Sequence, residues 1–90
     1  MQNQMLLKQE AINAAKNSDW SKAISINQEI LQNYGNDLEA MNRLGLAFLK
    51  NKQETEAKKV FKQVLALDGS NIIANKHLDK IKNKEMSADI

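Results

Sequence analysis

Apolar residues recur along this chain at helical rather than alternating spacing, in five segments separated by polar turn signals. The second segment carries Trp20, Ala23, Ile24, Ile30 and Leu31, and the third Met41, Leu44, Phe48 and Leu49. In the fourth the set is Ala57, Val60, Phe61, Val64 and Leu65. Each set falls on one side of a helix, which predicts one buried stripe per segment. The end segments are thinner, with Leu7, Ala11 and Ala14 in the first and Ala74, Leu78 and Ile81 in the fifth, so both are expected to be less completely covered.

Between the segments, "KNSDW" (16–20), "YGND" (34–37), "KNKQE" (50–54) and "DGSN" (68–71) supply the residues that end and cap helices. Turns this short make successive helices antiparallel neighbours, giving two helical hairpins and one further helix. Gly35 and Gly69 suit the left-handed residue after a helix end, and Asn36, Asp37, Ser70 or Asn71 can cap the helix that follows.

Composition agrees with an all-α chain: proline is absent, and glycine is confined to positions 35, 45 and 69. A glycine inside a helix costs about 1 kcal/mol relative to alanine, so Gly45 within "RLGLAF" implies a packing reason. The 90 residues suffice for one small domain, expected over 1–85, with "MSADI" (86–90) as a tail. With no cysteine, neither disulfides nor thiolate metal sites can reinforce the core. No apolar run reaches membrane-spanning length and "MQNQMLLKQE" lacks a leader pattern, so a cytoplasmic protein without a membrane role is expected.

Catalysis needs convergent groups, and none is legible. His77 is the only histidine, no second ligand lies three or four residues from it, and neither glycine turn resembles a phosphate loop. The expectation is therefore a non-enzyme with no catalytic, metal or cofactor site. The net charge of +2 does not by itself imply nucleic acid, and the aromatic residues lie on stripes or turns rather than among lysines, which makes single-stranded RNA a weak candidate.

The two hairpins also repeat. A shift of about 34 residues aligns Lys16-Asn17 with Lys50-Asn51, Ala23 with Ala57, Ile30-Leu31 with Val64-Leu65 and Gly35 with Gly69. On these residues the chain resembles the tetratricopeptide repeat family. Over 38–71, Met41, Leu44, Gly45 and Phe48 match the family's first helix and Ala57 and Phe61 its second. Residues 4–37 match through Leu7, Ala11, Ala14, "DWSKAI" (19–24) and Ile30-Leu31. The family's usual proline near the end of the second helix is replaced by Gly35 and Gly69, and Glu10 and Asn27 stand where apolar or aromatic residues are common. Both are understandable if no repeat precedes the first.

The resemblance implies a short right-handed α-solenoid of five helices: two repeats, a polar-faced capping helix over 71–84, and close helix crossings at Ala11, Ala23, Gly45 and Ala57. It also implies a concave groove lined by the first helix of each repeat. Carried over, that groove comprises Met5, Lys8, Gln9, Ile12 and Lys16, then Glu39, Asn42, Arg43, Leu46, Leu49 and Lys50, then Ile73, Lys76, His77, Lys80 and Lys84. Its charge is mostly positive, with apolar spots at Ile12, Leu46 and Leu49, which suits an acidic peptide or helix with hydrophobic anchors. The carboxylate clamp of one subclass is not expected, because Ile12, Ile73 and His77 replace its Asn, Lys and Arg and "NR" (42–43) is one residue out of register. The function expected is thus a protein-binding scaffold or adaptor. The alternative is a structural role by homo-oligomeric self-assembly, to which Asp89, Ile90 and the terminal carboxylate could contribute as a ligand for a neighbour's groove.

Overall fold

A computed structural model describes residues 3–88, with side chains described through Lys84. Five α-helices follow one another: α1 (Gln4–Lys16), α2 (Trp20–Tyr34), α3 (Leu38–Lys50), α4 (Glu54–Leu67) and α5 (Ile72–Ala88), with no strand among the described residues. The last helix continues past the end expected at residue 84 and takes in the first part of the expected tail; positions 89 and 90 lie outside the described residues.

Local chemistry sets the helix starts. Asn3 Oδ1 accepts from the Leu6 amide at 2.9 Å, Asp37 Oδ1 from Ala40 at 3.1 Å and Asn71 Oδ1 from Ala74 at 2.9 Å. These three caps stand 34 residues apart, so α1, α3 and α5 begin alike. Asp19 caps α2 through the Lys22 amide at 3.3 Å, whereas Gln53, its counterpart before α4, makes no side-chain cap.

The turns inside the two hairpins are copies as well. Asp19 N donates to Ala14 O at 2.8 Å and Ser18 N to Ala15 O at 3.0 Å; Gln53 N donates to Phe48 O at 2.7 Å and Lys52 N to Leu49 O at 3.0 Å. This paired closure requires a left-handed residue, and Ser18 (φ 56°) and Lys52 (φ 64°) fill that place. Gly35 has the positive φ expected of it, at 80°, but Gly69 does not. There the Asp68 carboxylate accepts from Ser70 N at 3.3 Å and Ser70 Oγ at 3.1 Å, so a side-chain turn replaces the glycine one.

Each helix packs substantially only against its neighbours in the chain, and the molecule measures 49 × 27 × 17 Å along its principal axes. The core is divided accordingly. Leu7, Ala11, Ile26, Ile30 and Ala40 form one cluster; Ala14, Ala23 and Ala47 form a second, with Trp20 and Ile24 against it. The largest joins Met41, Leu44, Phe48, Ala57, Val60, Phe61, Val64 and Ala74. Leu6 shares its register with Ala40 and Ala74, yet is 49% exposed where both of those are fully buried, because each of the latter has a preceding helix packed on it.

Ala11, Ala23, Gly45 and Ala57 are all buried. The group that needs Gly45 is the Phe61 ring rather than Ala57: a Cβ at position 45 would lie 2.6 Å from Phe61 Cζ. On its other side Phe61 stacks on His77, with ring centroids 5.0 Å apart and planes at 20°. At the corresponding places of the first hairpin stand Ala11 and Asn27, a larger residue facing a smaller one.

Candidate interaction face

Residues of α1, α3 and α5 line two clefts that adjoin at α3. The larger, about 840 Å³, lies between α1 and α3 and is lined by Asn3, Gln4, Met5, Lys8, Gln9, Ile12, Asp37 and Glu39. The smaller, about 250 Å³, lies between α3 and α5 and is lined by Glu39, Asn42, Arg43, Leu46, Ile73 and His77. Glu39 belongs to both and joins them.

The expected groove residues are thus distributed unevenly. Lys8 and Ile12 line the first cleft; Asn42, Arg43, Leu46 and His77 line the second. Lys16, Lys50, Lys76 and Lys80 are exposed and line neither. Leu49, expected as an apolar spot in the groove, packs instead against the cluster of Met41, Leu44 and Phe48.

Charge on this face differs from the sequence-based expectation. Lys8 Nζ is 3.1 Å from Glu39 Oε2, and Arg43 Nη1 approaches the same oxygen at 3.8 Å. With Asp37, which accepts from Gln4 Nε2 at 3.1 Å, the α1–α3 cleft sets one lysine against two carboxylates and is not basic. Positive character is concentrated around His77. Its pKa is held below the usual 6.5, first by partial burial and then by the charges of Lys80, Lys76 and Lys50.

Asn27, which stands where the resemblance expects an aromatic residue, is buried in the structure. It is 1% exposed, donates from Nδ2 to Ala23 O at 2.9 Å and accepts at Oδ1 from Arg43 Nε at 3.0 Å. The chain's single arginine is therefore a partly buried tie between α2 and α3 at the edge of the second cleft, engaged by Asn27 and not a free groove cation. A polar residue within an apolar stripe requires a partner, and that requirement was the available signal. Asn42 is likewise buried, at 7% exposure, and donates from Nδ2 to Asn71 Oδ1 at 3.2 Å.

No group of three or more His, Cys, Asp or Glu among the described residues is arranged to hold a metal, and no helix there is long and apolar enough to cross a membrane. Comparison of the chain with protein-family models, with curated proteins and with solved structures finds no match.

Proposed function

We propose that this chain is a non-catalytic, tetratricopeptide-type interaction module that holds a peptide or helix along the face of α1, α3 and α5. The repeat assignment is supported by three helix caps and two left-handed turn residues recurring at the same interval, with matched turn hydrogen bonds. The observation that carries the binding reading is the pair of adjoining clefts on that one face. Both have apolar walls, Met5 and Ile12 in one and Leu46 and Ile73 in the other, and Met5 and Ile73 are exposed at 70% and 50%. Exposed side chains of that size beside a cleft suit hydrophobic anchors of a partner.

Acidic residues of the partner belong at the His77 end, where Lys50, Lys76 and Lys80 lie within electrostatic reach of the imidazole. The other end, where Glu39 already engages Lys8, selects for apolar contact instead. A fluorescein-labelled peptide alternating leucine with aspartate tests this by polarisation, with a leucine-lysine peptide as control. Saturable binding by the acidic peptide alone, weakened by salt and by Lys50→Glu/Lys76→Glu/Lys80→Glu, is the expected result. Equal binding of both peptides, or binding indifferent to the triple substitution, rejects the charge assignment. A mass that grows with concentration in sedimentation, with neither peptide bound, replaces the reading by self-assembly.

A further inference from the structure

The start of α5 leaves large apolar side chains uncovered: Ile72 is 81% exposed and Ile73 50%. Leu38, which holds the register of Ile72 34 residues earlier, packs against the largest core cluster, which α3 shares with α4. No helix beyond α5 among the described residues does the same for Ile72. Lys76, also exposed, follows the two isoleucines at the three- and four-residue spacing that makes helix side chains neighbours. Between Ile72 and Leu78 it is the one lysine, and no acid stands with it. These first turns of α5 are thus apolar and basic.

The α1–α3 cleft has the converse character. Met5 and Ile12 line it from one stripe of α1, with Lys8 between them. Against Lys8, which Glu39 engages at 3.1 Å, stand two carboxylates, Asp37 and Glu39. One negative charge is left over beside an apolar wall. Two isoleucines followed by a lysine complement both properties at once. Within one molecule the two surfaces do not meet, because α1 packs on α2, α5 packs on α4, and α3 lies between the two clefts.

A second molecule can bring them together. The clefts adjoin at Glu39 of α3, so a two-fold axis beside α3 lays α5 of each protomer over the α1–α3 cleft of the other. The same contact is then made twice, as a closed pair requires. That doubling carries a patch of a few side chains into the range of weak, transient interfaces, below about 1,200 Å² in total. We propose that the α1–α3 cleft is the seat of a second copy of this chain, which enters it with Ile72, Ile73 and Lys76 of α5 to form a two-fold dimer. The pair covers Met5 and Ile73, the anchoring residues of the peptide-binding reading, so peptide and second copy exclude one another on this face. The dimer stands without that reading; only the competition rests on it.

Sedimentation equilibrium of the full chain from about 10 µM to about 1 mM is expected to show a mass rising from one chain toward two, with a dissociation constant on the order of 100 µM. Ile72→Lys and Met5→Lys alter exposed side chains, and each should weaken association at least about tenfold while helicity by circular dichroism is unchanged. Because the chain has no cysteine, Met5→Cys and Ile72→Cys chains can be mixed and oxidised. The disulfide between the two variants should form at least about fivefold faster than that of either variant with itself, since only the mixed pair brings the two sulfurs within bonding reach. A monomer mass throughout, association indifferent to both lysines, or faster pairing of Ile72→Cys with itself overturns the proposal. Adding the leucine-aspartate peptide to the wild type should lower the mass. Peptide bound to a chain that is monomeric at every concentration ends the dimer alone, and a dimer that takes up no peptide ends the peptide reading alone.

Discussion

Replacing Gly45 by alanine places one methyl group in the most crowded part of the structure. The added Cβ would stand 2.6, 2.7 and 2.9 Å from Phe61 Cζ, Cε1 and Cε2, against about 3.5–4.0 Å for relaxed carbon contacts. Relief requires the ring to retreat by roughly an ångström, yet Phe61 is fully buried and backed by His77. Overpacking of this kind costs about 1–3 kcal/mol, and the better helix propensity of alanine returns about 1 kcal/mol. The net expectation is a loss of up to about 2 kcal/mol, which for a domain of this size lowers Tm by roughly 4–8 °C per kcal/mol. The informative assay is a double-mutant cycle of Gly45→Ala and Phe61→Leu by urea unfolding followed by circular dichroism. With the ring removed, the same alanine should become neutral or stabilising, giving a coupling of at least about 1 kcal/mol. Should Gly45→Ala raise stability equally in both backgrounds, the glycine is not there for Phe61 and the packing argument fails.

Two further outcomes are expected. Lys52 holds a left-handed backbone on an exposed turn, so Lys52→Gly should raise the urea midpoint by the equivalent of about 0.5–1 kcal/mol, as should Ser18→Gly; a decrease in both would contradict the turn geometry. His77 has a folded pKa below its unfolded 6.5, so the unfolded chain binds more protons beneath that pH; its contribution is intact above 6.5 and declines as pH falls toward the folded value, then levels. Urea midpoints of the wild type and His77→Gln should therefore diverge on acidification, and parallel profiles would exclude the effect.

Helix existence, register and most of the core were legible because apolar spacing and turn residues both act locally: Met41, Leu44, Phe48, Ala57, Val60, Phe61 and Val64 are all buried as their stripes require. The need for a small residue at 45 was legible too, but not its cause, since an aromatic residue on the next stripe does not announce which side chain it will cover. The site was less readable. Glu39 and Arg43 stand four residues apart on α3, a local pairing, but only the approach of α1 to α3 brings Lys8 to the same carboxylate. The Asn27–Arg43 bond joins residues on different helices, and no local pattern specifies such a partner. Gly69 misled for a related reason: a short side chain beside it, Asp68, closes the turn by hydrogen bonding, so the backbone freedom of glycine is not needed.

That each helix leans mainly on the ones before and after it, with slighter ties such as Lys8–Glu39 and Asn42–Asn71 beyond them, has a consequence for how the fold comes apart. Free energy is held largely in series, as in a zipper. Opening α5 forfeits its contacts with α4 and leaves the α1–α2 and α2–α3 interfaces whole, so terminal amides exchange through partial openings while those of the middle helices wait for larger ones. Because the α3–α5 cleft draws Ile73 and His77 from that end helix, a peptide seated there would also clasp the end of the row, and its occupancy would be felt as slower exchange along α5.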